Sequence, residues 1–387
     1  MRSVGVLGVG DIADVYIRNA AGMRNYRIVA VASRDAKRTR AGAARWGVDA
    51  ATPEGLLRRD DIDFILNLTP PAAHFATTKA ALEAGKHVFS EKPLGITFAE
   101  ARALTEAAEK RGLRLGVAPD ALLGAGLQKA RAMIDGGAIG RPLMATAAIL
   151  YHGADGWHPN PSFFYRAAGG GPIHDVGPYF LTALTALLGP ITTVQATGFK
   201  GFETRTFTAE GPEKGLTMPV EVLTSILALA IFRSGVQASL MASWDVWQST
   251  QPDLEIHGTK GSLSLPHPNW HGGPLRYARA GGPWEEVPLD DDPLARVNWP
   301  PENPLRSNYR GIGIAEMIDA MDAGVPHRTS AALATHVVEA ADAIVASAVG
   351  GGAPIRLVGE PERPRHFTAA DARKLLKERN DHAPRSG

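Results

Sequence analysis

The first 119 residues alternate short apolar runs with segments in which apolar residues recur at helical spacing. The apolar runs predict five strands, at residues 3–8, 27–33, 64–68, 87–90 and 113–117. The segments between them predict four helices, at residues 12–23, 36–46, 74–84 and 98–111. This alternation is typical of α/β domains that fold around a doubly wound parallel sheet. We therefore expect a first domain at residues 1–119.

The pattern changes after residue 119, where longer β-like runs replace the alternation. One helix is predicted at 126–135, followed by strands at 144–151, 192–197, 221–232, 236–244, 254–257 and 262–265. Glycine and proline turns join these strands, which favours an antiparallel meander. Later helices are predicted at 312–323 and 331–348, and both are expected to pack back on one of the domains. The pattern indicates a larger α+β domain at 120–360, with an open, mainly antiparallel sheet flanked by helices.

The chain length agrees with this division. At 387 residues the chain exceeds the size of one ordinary domain, and two domains are the natural expectation. Residues 290–306 are rich in Pro, Asp and Asn, which predicts a loop. Residues 361–387 are basic and polar, and we expect a tail with one short helix at 369–377 and a frayed end.

Charge and composition narrow the class of protein. The formal net charge is +1, which gives no overall field for nucleic acid or an anionic membrane. The chain has no cysteine, which excludes disulfides, thiolate nucleophiles, iron–sulfur clusters and cysteine-based zinc sites. Met1 leads directly into a strand pattern without a charged leader, and no apolar segment approaches the ~20 residues that cross a bilayer. We expect a cytoplasmic protein that binds neither nucleic acid nor a membrane.

A glycine-rich turn follows the first predicted strand. Gly8 and Gly10 lie in this turn, and Asp11 and Ile12 begin the helix after it. Such a turn lets the backbone approach a pyrophosphate, while the helix directs its N-terminal amides at the negative charge. The helix carries Ala13 where many nucleotide-binding proteins have a third glycine. The turn predicts a dinucleotide site; a purely structural turn is the alternative.

The end of the second strand selects the cofactor. An acidic residue there binds a free ribose 2′-hydroxyl, whereas arginine accommodates a 2′-phosphate. The chain has Ser33 followed by Arg34, with Lys37 and Arg38 close behind. This set favours NADP over NAD. Asp35 keeps NAD open, and Lys37 and Arg38 also fit a solvated helix surface.

Glu91, Lys92 and Pro93 end the apolar run at 87–90. Ligands of parallel sheets bind at the carboxyl ends of the strands, so Lys92 is expected beside the cofactor. Oxidation of an alcohol needs a group that takes the hydroxyl proton, and desolvation at this edge would lower the pKa of Lys92 towards neutrality. A surface lysine after a strand is the alternative.

A second motif lies in the larger domain, with three glycines at 169–171 followed by Asp175 and Tyr179. The glycine turn, the Glu91-Lys92-Pro93 segment and this motif, in this order, resemble the Gfo/Idh/MocA oxidoreductases. These enzymes move hydride between nicotinamide and a hydroxyl of a sugar or cyclitol. The resemblance covers most of residues 1–350. It implies a Rossmann domain, NADP or NAD as cofactor, and a small carbohydrate or cyclitol as substrate.

The resemblance also implies roles for residues of the first domain. The family binds nicotinamide along a Thr-Pro segment followed by histidine, which here corresponds to Thr69, Pro70 and His74. Glu91 is expected to orient the nicotinamide ribose. In this family the proline after the catalytic lysine is a cis-proline. His74 also fits a packing or capping role.

Tyr179 stands where the family typically has histidine. Residues four apart on a helix share a face, so Asp175 and Tyr179 should both face Lys92. Some relatives, among them glucose–fructose oxidoreductases and dimeric dihydrodiol dehydrogenases, also carry tyrosine there. A phenol beside Lys92 can act as acid and base, with Asp175 binding a substrate hydroxyl. The residues leave open whether Lys92 or Tyr179 carries the proton, and Tyr179 also fits the core.

The remaining candidates are polar residues of the kind that bind sugars, namely Asp120, His158, Arg166 and His174. Arg166 follows Tyr165, and such aromatic-Arg pairs contact cofactor or substrate in some relatives. The broad sheet of the second domain presents a large flat face, so a homodimer or homotetramer is expected.

The sequence also admits three other functions. Some relatives oxidise a sugar transiently and return the hydride, which gives a redox-neutral reaction on tightly bound nucleotide. A metal-assisted lyase or isomerase would need ligands from His152, Asp155, His158, His174 and Asp175, whose spacing matches no strong metal motif. A non-catalytic NAD(P) sensor would not need to keep Lys92, Asp175 and Tyr179 together.

Overall fold

Six parallel strands form the first sheet of the computed structural model, which describes residues 1–378. The elements are β1 Arg2–Leu7, α1 Asp11–Ala20, β2 Tyr26–Ala32, α2 Ala36–Trp46, β3 Asp49–Ala51, α3 Pro53–Leu57, β4 Phe64–Asn67, α4 Pro71–Glu83, β5 His87–Ser90, α5 Phe98–Lys110 and β6 Leu115–Val117. The strand order β3-β2-β1-β4-β5-β6 reverses its winding between β1 and β4, which is where doubly wound sheets bind ligands. The predicted α/β architecture is confirmed. Elements β3 and α3 were not predicted because they are too short to show a period.

The second domain follows a short 3₁₀ helix at Asp120–Leu123. The elements of the chain after this turn are α6 Ala125–Asp135, β7 Pro142–Leu150, α7 Pro172–Asp175, α8 Gly177–Leu188, β8 Ile191–Phe199, β9 Thr204–Thr206, β10 Thr217–Pro219, β11 Ser225–Phe232, β12 Gln237–Ser243, β13 Leu254–Gly258, β14 Gly261–Leu265, β15 Arg276–Arg279, β16 Glu285–Glu286, α9 Ile312–Asp322, α10 Ala331–Val349, β17 Ile355–Arg356 and α11 Ala369–Leu375. Of these, α9 and α11 pack on the first domain. Further 3₁₀ turns lie at Pro161–Tyr165 and Pro293–Ala295.

The second sheet has nine strands in the order β16-β15-β14-β13-β7-β12-β11-β8-β17. Its neighbours are antiparallel except β7 and β12, which run parallel. The predicted mainly antiparallel sheet is confirmed, but the simple meander is wrong. The long connection after β7 carries α7 and α8. The next strand, β8, is therefore not a neighbour of β7 in the sheet, and β12, later in the chain, pairs with β7. Hydrophobic alternation predicts strands but does not specify their partners.

Strand β11 shows how this sheet separates its two faces. Its alternate residues from Ile226 to Phe232 are buried in the core against α8 and α10. The residues between them, Leu227, Leu229 and Ile231, are 60%, 57% and 42% exposed. Side chains on a strand point alternately to opposite faces, so this apolar row lies on the outer face of the sheet.

Helix α10 packs against both domains. Ala331 and Val338 join the core beside α5, while Ala341 and Ile344 join the core of the second sheet. Its 19 residues are long and apolar enough to cross a bilayer by length and composition, but 61% of its apolar window is buried inside the protein. The expectation that no apolar segment reaches this length is therefore wrong. The helix is apolar on most of its surface because it packs against both domains.

The core of the first domain includes two segments from the end of the chain. Helix α9 buries Ile312 and Met317 against the first sheet, and the tail adds Phe367 and Leu375 to the same core. A backbone bridge joins Met23 to Leu376. The tail is therefore a packed part of the first domain, and the nucleotide-binding unit extends beyond residues 1–119. The predicted frayed end, at 379–387, lies outside the described residues.

Candidate active site

The glycine turn between β1 and α1 has the form of a phosphate site. Gly8 has φ +109, and a Cβ there would lie 2.4 Å from the backbone oxygen of Leu68, so only glycine fits. A Cβ at Gly10 would meet nothing within 4 Å, and no side chain caps α1 at this residue. The first-turn amides, which start at Asp11 and Ile12, thus face open space. This arrangement fits the pyrophosphate of a dinucleotide.

The end of β2 carries unpaired cations. The Asp35 carboxylate caps α2 by accepting from the amides of Lys37 (2.9 Å) and Arg38 (3.0 Å). Ser33 Oγ lies 3.0 Å from the backbone oxygen of Asp35 and 2.8 Å from Thr39 Oγ1. Arg34 and Arg38 are exposed, and within residues 1–378 neither forms an ion pair.

The loop after β4 is fixed by buried polar groups. Asn67 Oδ1 accepts from the amide and hydroxyl of Thr69. The buried His74 places its ring nitrogens 2.6 Å from the backbone oxygen of Thr69 and 2.7 Å from that of Pro93. His74 therefore ties this loop to the turn at Lys92 and Pro93, and its expected place along the nicotinamide stays a prediction. Pro70 is exposed at the start of α4.

Lys92 and Asp175 connect the two domains. Lys92 Nζ donates to Asp175 Oδ1 at 2.9 Å and to the Asp175 backbone oxygen at 2.5 Å. Their side chains are only 13% and 21% exposed. The Lys92–Pro93 peptide is cis, as the resemblance implied. The pair brings the end of β5 against the end of α7.

This pair sets the charge of the lysine. Burial by itself lowers the pKa of Lys92, because a low-dielectric interior disfavours an isolated charge. The negative charge of Asp175, with smaller contributions from Tyr179 and Glu91, outweighs burial and raises the pKa above its usual value. The expectation that desolvation would lower this pKa is wrong. Lys92 stays a protonated ammonium through the neutral range.

Tyr179 lies on the other side of the ammonium. Lys92 Nζ is 5.0 Å from the centroid of the Tyr179 ring. Asp175 ends α7, and Tyr179 lies in the first turn of α8, so Val176 separates the two helices. Both side chains nevertheless reach Lys92 as predicted, although two successive helices carry them and not the single helix that the spacing suggested. Lysine, carboxylate and phenol meet in a single cluster.

Glu91 supports this cluster from within the protein. Its Oε1 accepts from Tyr16 Oη at 2.7 Å, and its Oε2 accepts from the Lys92 amide at 3.0 Å. Arg310 Nε lies 4.0 Å from Glu91 Oε1. Both oxygens are bonded within the protein, and the side chain is buried. The expected contact between Glu91 and the nicotinamide ribose stays a prediction.

The carboxylate of Asp120 is also hydrogen-bonded within the protein. It is 1% exposed, and its Oδ2 accepts from the amides of Gly311 (2.7 Å) and Gly313 (3.1 Å) at the start of α9. Burial raises the pKa of this carboxyl to about 6. Its Oδ1 lies 3.7 Å from Nε2 of the buried His271. Asp120 therefore anchors the start of α9, and its expected contact with substrate stays a prediction.

The other predicted substrate residues lie around the second domain. His174, next to Asp175, places Nε2 3.1 Å from Asp342 Oδ1 and Nδ1 3.3 Å from the Gly170 backbone oxygen. His158 accepts from the Asn160 amide and contacts aromatic rings, and Arg166 is exposed. The structure does not bring these three into one group with Lys92.

Four residues near the cluster were not predicted. Tyr151 directly follows β7 and packs against the core, and burial, followed by the charge of Asp175, raises its pKa. Strand alternation from Ala145 could have found it. Tyr16 has the pattern of a core residue, and Arg310 and Asn269 lie in loops without a motif.

The proposed metal ligands have other partners. Arg205 donates to His152 Nε2 and to Asp155 Oδ2, both at 3.0 Å, so a guanidinium already occupies the space between them. Across residues 1–378, no group of three or more histidine, aspartate or glutamate side chains is arranged to hold a metal ion.

Comparison with known proteins identifies the family. Residues 2–118 match the model of the oxidoreductase family with an NAD-binding Rossmann fold, and residues 127–264 match the GFO/IDH/MocA C-terminal domain. A dTDP-3,4-didehydro-2,6-dideoxy-alpha-D-glucose 3-reductase from Streptomyces violaceoruber is 31% identical over 75% of this chain and 82% of its own length. The chain belongs to the Gfo/Idh/MocA family. It is an oxidoreductase with an NAD-binding domain, of the sugar dehydrogenase and reductase type.

Further members show the same similarity. A 1,5-anhydro-D-fructose reductase from Ensifer adhaerens is 30% identical over 68% of this chain and 75% of its own length. Among solved Gfo/Idh/MocA structures, levoglucosan dehydrogenase in complex with NADH has a TM-score of 0.77 at 22% identity, covering 92% of this chain and 99% of that one. That likeness supports the fold.

An Asp175→Asn variant tests the charge of the lysine. Burial remains while the attracting charge is lost, so we expect the pKa of Lys92 to fall by about one unit or more. Reductive methylation modifies only the neutral amine, so Lys92 should react at lower pH in the variant, as mapped by mass spectrometry. The exposed Lys79 is the internal control. Equal reactivity of Lys92 in both proteins at every pH would contradict the assignment.

Proposed function

We propose that this enzyme transfers hydride between NADP, in preference to NAD, and a hydroxyl or carbonyl carbon of a sugar, sugar derivative or cyclitol in the cytoplasm. The observation that carries the proposal is the cluster of Lys92, Asp175 and Tyr179, placed at the carboxyl edge of a sheet with an open glycine turn. This is where a doubly wound sheet binds a dinucleotide.

The proton moves through Tyr179 in this proposal. Bound nicotinamide supplies or accepts the hydride. Lys92 is held as an ammonium by Asp175, so it has no vacant site for another proton. The Tyr179 phenol gives its proton to the substrate oxygen during reduction and takes it back during oxidation, while the Lys92 charge stabilises the phenolate. Asp175 orients the ammonium and accepts a hydrogen bond from a substrate hydroxyl.

The substrate class follows from the family and the surrounding side chains. Two relatives are named as sugar reductases, and a structural neighbour is a levoglucosan dehydrogenase. His158 packs against the rings of Trp157, Phe163 and Phe164, and we assign it, with Arg166 and His174, to further contacts with a carbohydrate.

The NADP preference rests on the end of β2. The Asp35 carboxylate is occupied by the α2 amides, whereas Arg34 and Arg38 extend into solvent. A 2′-phosphate would satisfy those charges, and Ser33 offers a hydroxyl beside them.

We also propose that the protein is a homodimer or homotetramer formed through the second sheet. The outer row of Leu227, Leu229 and Ile231 exposes apolar surface on a broad sheet face. A face of this kind is stabilised by a second copy around a two-fold axis.

The cofactor preference is tested with an Arg34→Ala/Arg38→Ala double variant. Loss of two charge-assisted contacts should weaken NADPH binding about tenfold or more while leaving NADH binding unchanged, as measured by nicotinamide fluorescence. Arg40→Ala, on the exposed side of α2, is the matched control. Tighter binding of NADH than NADPH by the native protein would overturn the preference.

The catalytic relay is tested with Tyr179→Phe and Lys92→Met. Removing a general acid–base group should lower kcat about 10²- to 10⁴-fold. The substrates are 1,5-anhydro-D-fructose with NADPH or NADH, and levoglucosan or D-xylose with NADP⁺ or NAD⁺. Tyr277→Phe, on the distant β15, is the control and should retain full activity. Native rates in Tyr179→Phe would exclude the phenol from the reaction.

Oligomerisation is tested with Leu229→Lys. A charge in the centre of the outer row should convert the assembly to monomers in analytical ultracentrifugation, without unfolding, because the residue is 57% exposed in the single chain. Leu305→Lys, exposed on a loop, should leave the assembly intact. A native protein that sediments as a monomer would refute the proposed interface.

A further inference from the structure

Three aromatic side chains of the second domain are exposed to solvent. Trp247 is 72% exposed, Trp157 is 62% exposed and Phe202 is 43% exposed. We call these three rings the aromatic surface. Large apolar side chains that face solvent together mark ligand-binding or interaction sites, whereas single exposed ones are common. The proposed proton relay does not use these rings, so their exposure needs another explanation.

The pairing of the strands places the aromatic surface at one edge of the second sheet. Strands β7 and β12 run parallel, and Leu150 pairs with Ser243 at their carboxyl ends. Strand β8 ends at the same edge, because it is antiparallel to β11, which is antiparallel to β12. His152, Phe202 and Trp247 therefore follow three strand ends at a single edge of the sheet.

Trp247 is held flat against His152. Their ring centroids are 3.5 Å apart, and the ring planes differ by 12°. The histidine is fixed in turn by Arg205, which is 4% exposed and donates to His152 Nε2 at 3.0 Å. Arg205 also forms ion pairs with Asp155 (3.0 Å) and Asp245 (2.6 Å). One face of the indole is thus fixed on the histidine, and the other face is left to solvent.

Phe202 and Trp157 are fixed around the same histidine. The Phe202 ring meets the His152 ring at 87°, with 5.8 Å between the centroids, and the Arg205 guanidinium lies 4.5 Å from the Phe202 centroid. Trp157 Nε1 donates to the backbone oxygen of Gly153, the next residue after His152, at 2.8 Å. The flat faces are therefore preorganised, which reduces the entropy that a ligand loses on binding.

Buried rings connect this edge to the cluster at Lys92. Trp244, which follows β12, is buried with its ring centroid 5.7 Å from that of Phe164. The Phe164 backbone oxygen accepts from the amide of Gly171 at 2.8 Å, and Gly171 caps α7. The last residue of α7 is Asp175, which is bonded to Lys92. The aromatic surface thus lies on loops that pack against the helix carrying Asp175.

We propose that the aromatic surface binds a second sugar ring of the substrate, so that the enzyme acts on a disaccharide or another glycoside. The inference rests on the proposed function and extends it to the substrate class. A pyranose ring suits this surface because its C–H groups form an apolar face and its hydroxyls form a polar rim. Stacking on an indole removes the apolar face from water and leaves the hydroxyls free to form hydrogen bonds.

The surroundings of the indoles favour a sugar over a second copy of the chain. Trp247 is followed by four exposed polar residues, Gln248, Ser249, Thr250 and Gln251. Amide and hydroxyl side chains both donate and accept, as sugar hydroxyls require. The outer row on β11 is, in contrast, a continuous apolar strip, and interfaces between copies are apolar at their centres.

The first measurement is sugar binding to the native protein and to Trp247→Ala, by ligand-observed NMR titration with NADPH present. The probes are methyl β-cellobioside, methyl β-lactoside and methyl β-maltoside, with methyl β-D-glucoside as the single-ring reference. These glycosides have no carbonyl group, and NADPH accepts no hydride, so binding is measured without reaction. We expect at least one two-ring glycoside to bind about tenfold more tightly than the glucoside, and Trp247→Ala to lose this gain.

Trp284→Ala is the matched control. Trp284 is also exposed, at 44%, but it precedes the edge strand β16 of the same sheet. Its removal should leave the preference for two-ring glycosides unchanged, whereas Trp247→Phe, which keeps a flat ring, should retain part of the preference. The proposal is overturned by equal affinity of the native protein for all four glycosides, by an unchanged preference in Trp247→Ala, or by an equal loss in Trp284→Ala.

Sedimentation tests the competing occupant, a second copy of the chain. Trp157→Ala and Trp247→Ala should form the same assembly as the native protein in analytical ultracentrifugation. A smaller assembly in either variant would assign the aromatic surface to an interface between copies and overturn the proposal.

Turnover separates this inference from the proposed function. If the native protein transfers no hydride with 1,5-anhydro-D-fructose, levoglucosan or D-xylose, but Trp247→Ala loses the binding of two-ring glycosides, the sugar site stands and the proposed hydride transfer fails. If the native protein turns over one of these sugars but binds two-ring and single-ring glycosides equally, the proposed function stands and only this inference fails.

Discussion

The ion pair between Lys92 and Asp175 is the contact around which this site is built. It joins a strand end in the nucleotide-binding domain to a helix end in the substrate domain, mostly shielded from water. A charge left alone at this depth costs several kcal/mol, so the two domains are constrained to keep the partners together. The same pairing keeps the lysine protonated, and for this reason the proposed relay assigns the moving proton to the adjacent phenol of Tyr179. One contact thus joins the two domains and sets the charge of the lysine on which the proposal depends.

A layer of buried groups holds that contact in place. Glu91 accepts hydrogen bonds from the Tyr16 hydroxyl and from the Lys92 amide. His74 joins the turn that carries Lys92 to the loop after β4. Each supporting side chain belongs to an element that also borders the nucleotide crevice. The geometry of the reacting groups is therefore coupled to the helix and loop that would hold the cofactor. Preorganisation of this kind reduces the reorganisation that charged groups undergo during reaction.

The sequence predicted the elements of the first domain well, because strands and helices there leave clear periods in hydrophobicity. The family resemblance also led to the prediction that Asp175 and Tyr179 lie beside Lys92, and the structure has both in contact with this lysine. It could not give the pairing of β7 with β12, because partners depend on the path of long connections. The prediction that the pKa of Lys92 is lowered failed for a similar reason. The outcome depends on whether Asp175 outweighs burial, and only three-dimensional distances decide this. Asn269 and Arg310 lie far apart in the sequence although their side chains are in contact. No local sequence pattern marks either residue.

The contribution of α9 and the tail to the first core has a consequence for synthesis. Residues 1–119 leave the ribosome with the sheet complete but with the surfaces later covered by Met317, Phe367 and Leu375 still exposed. At about 5–20 residues per second, roughly tens of seconds pass before those segments emerge. The nascent nucleotide-binding domain must therefore remain soluble with an unfinished apolar face. Its core closes only after α9 and α11 have been synthesised, so a polypeptide truncated before them lacks a fully closed first domain.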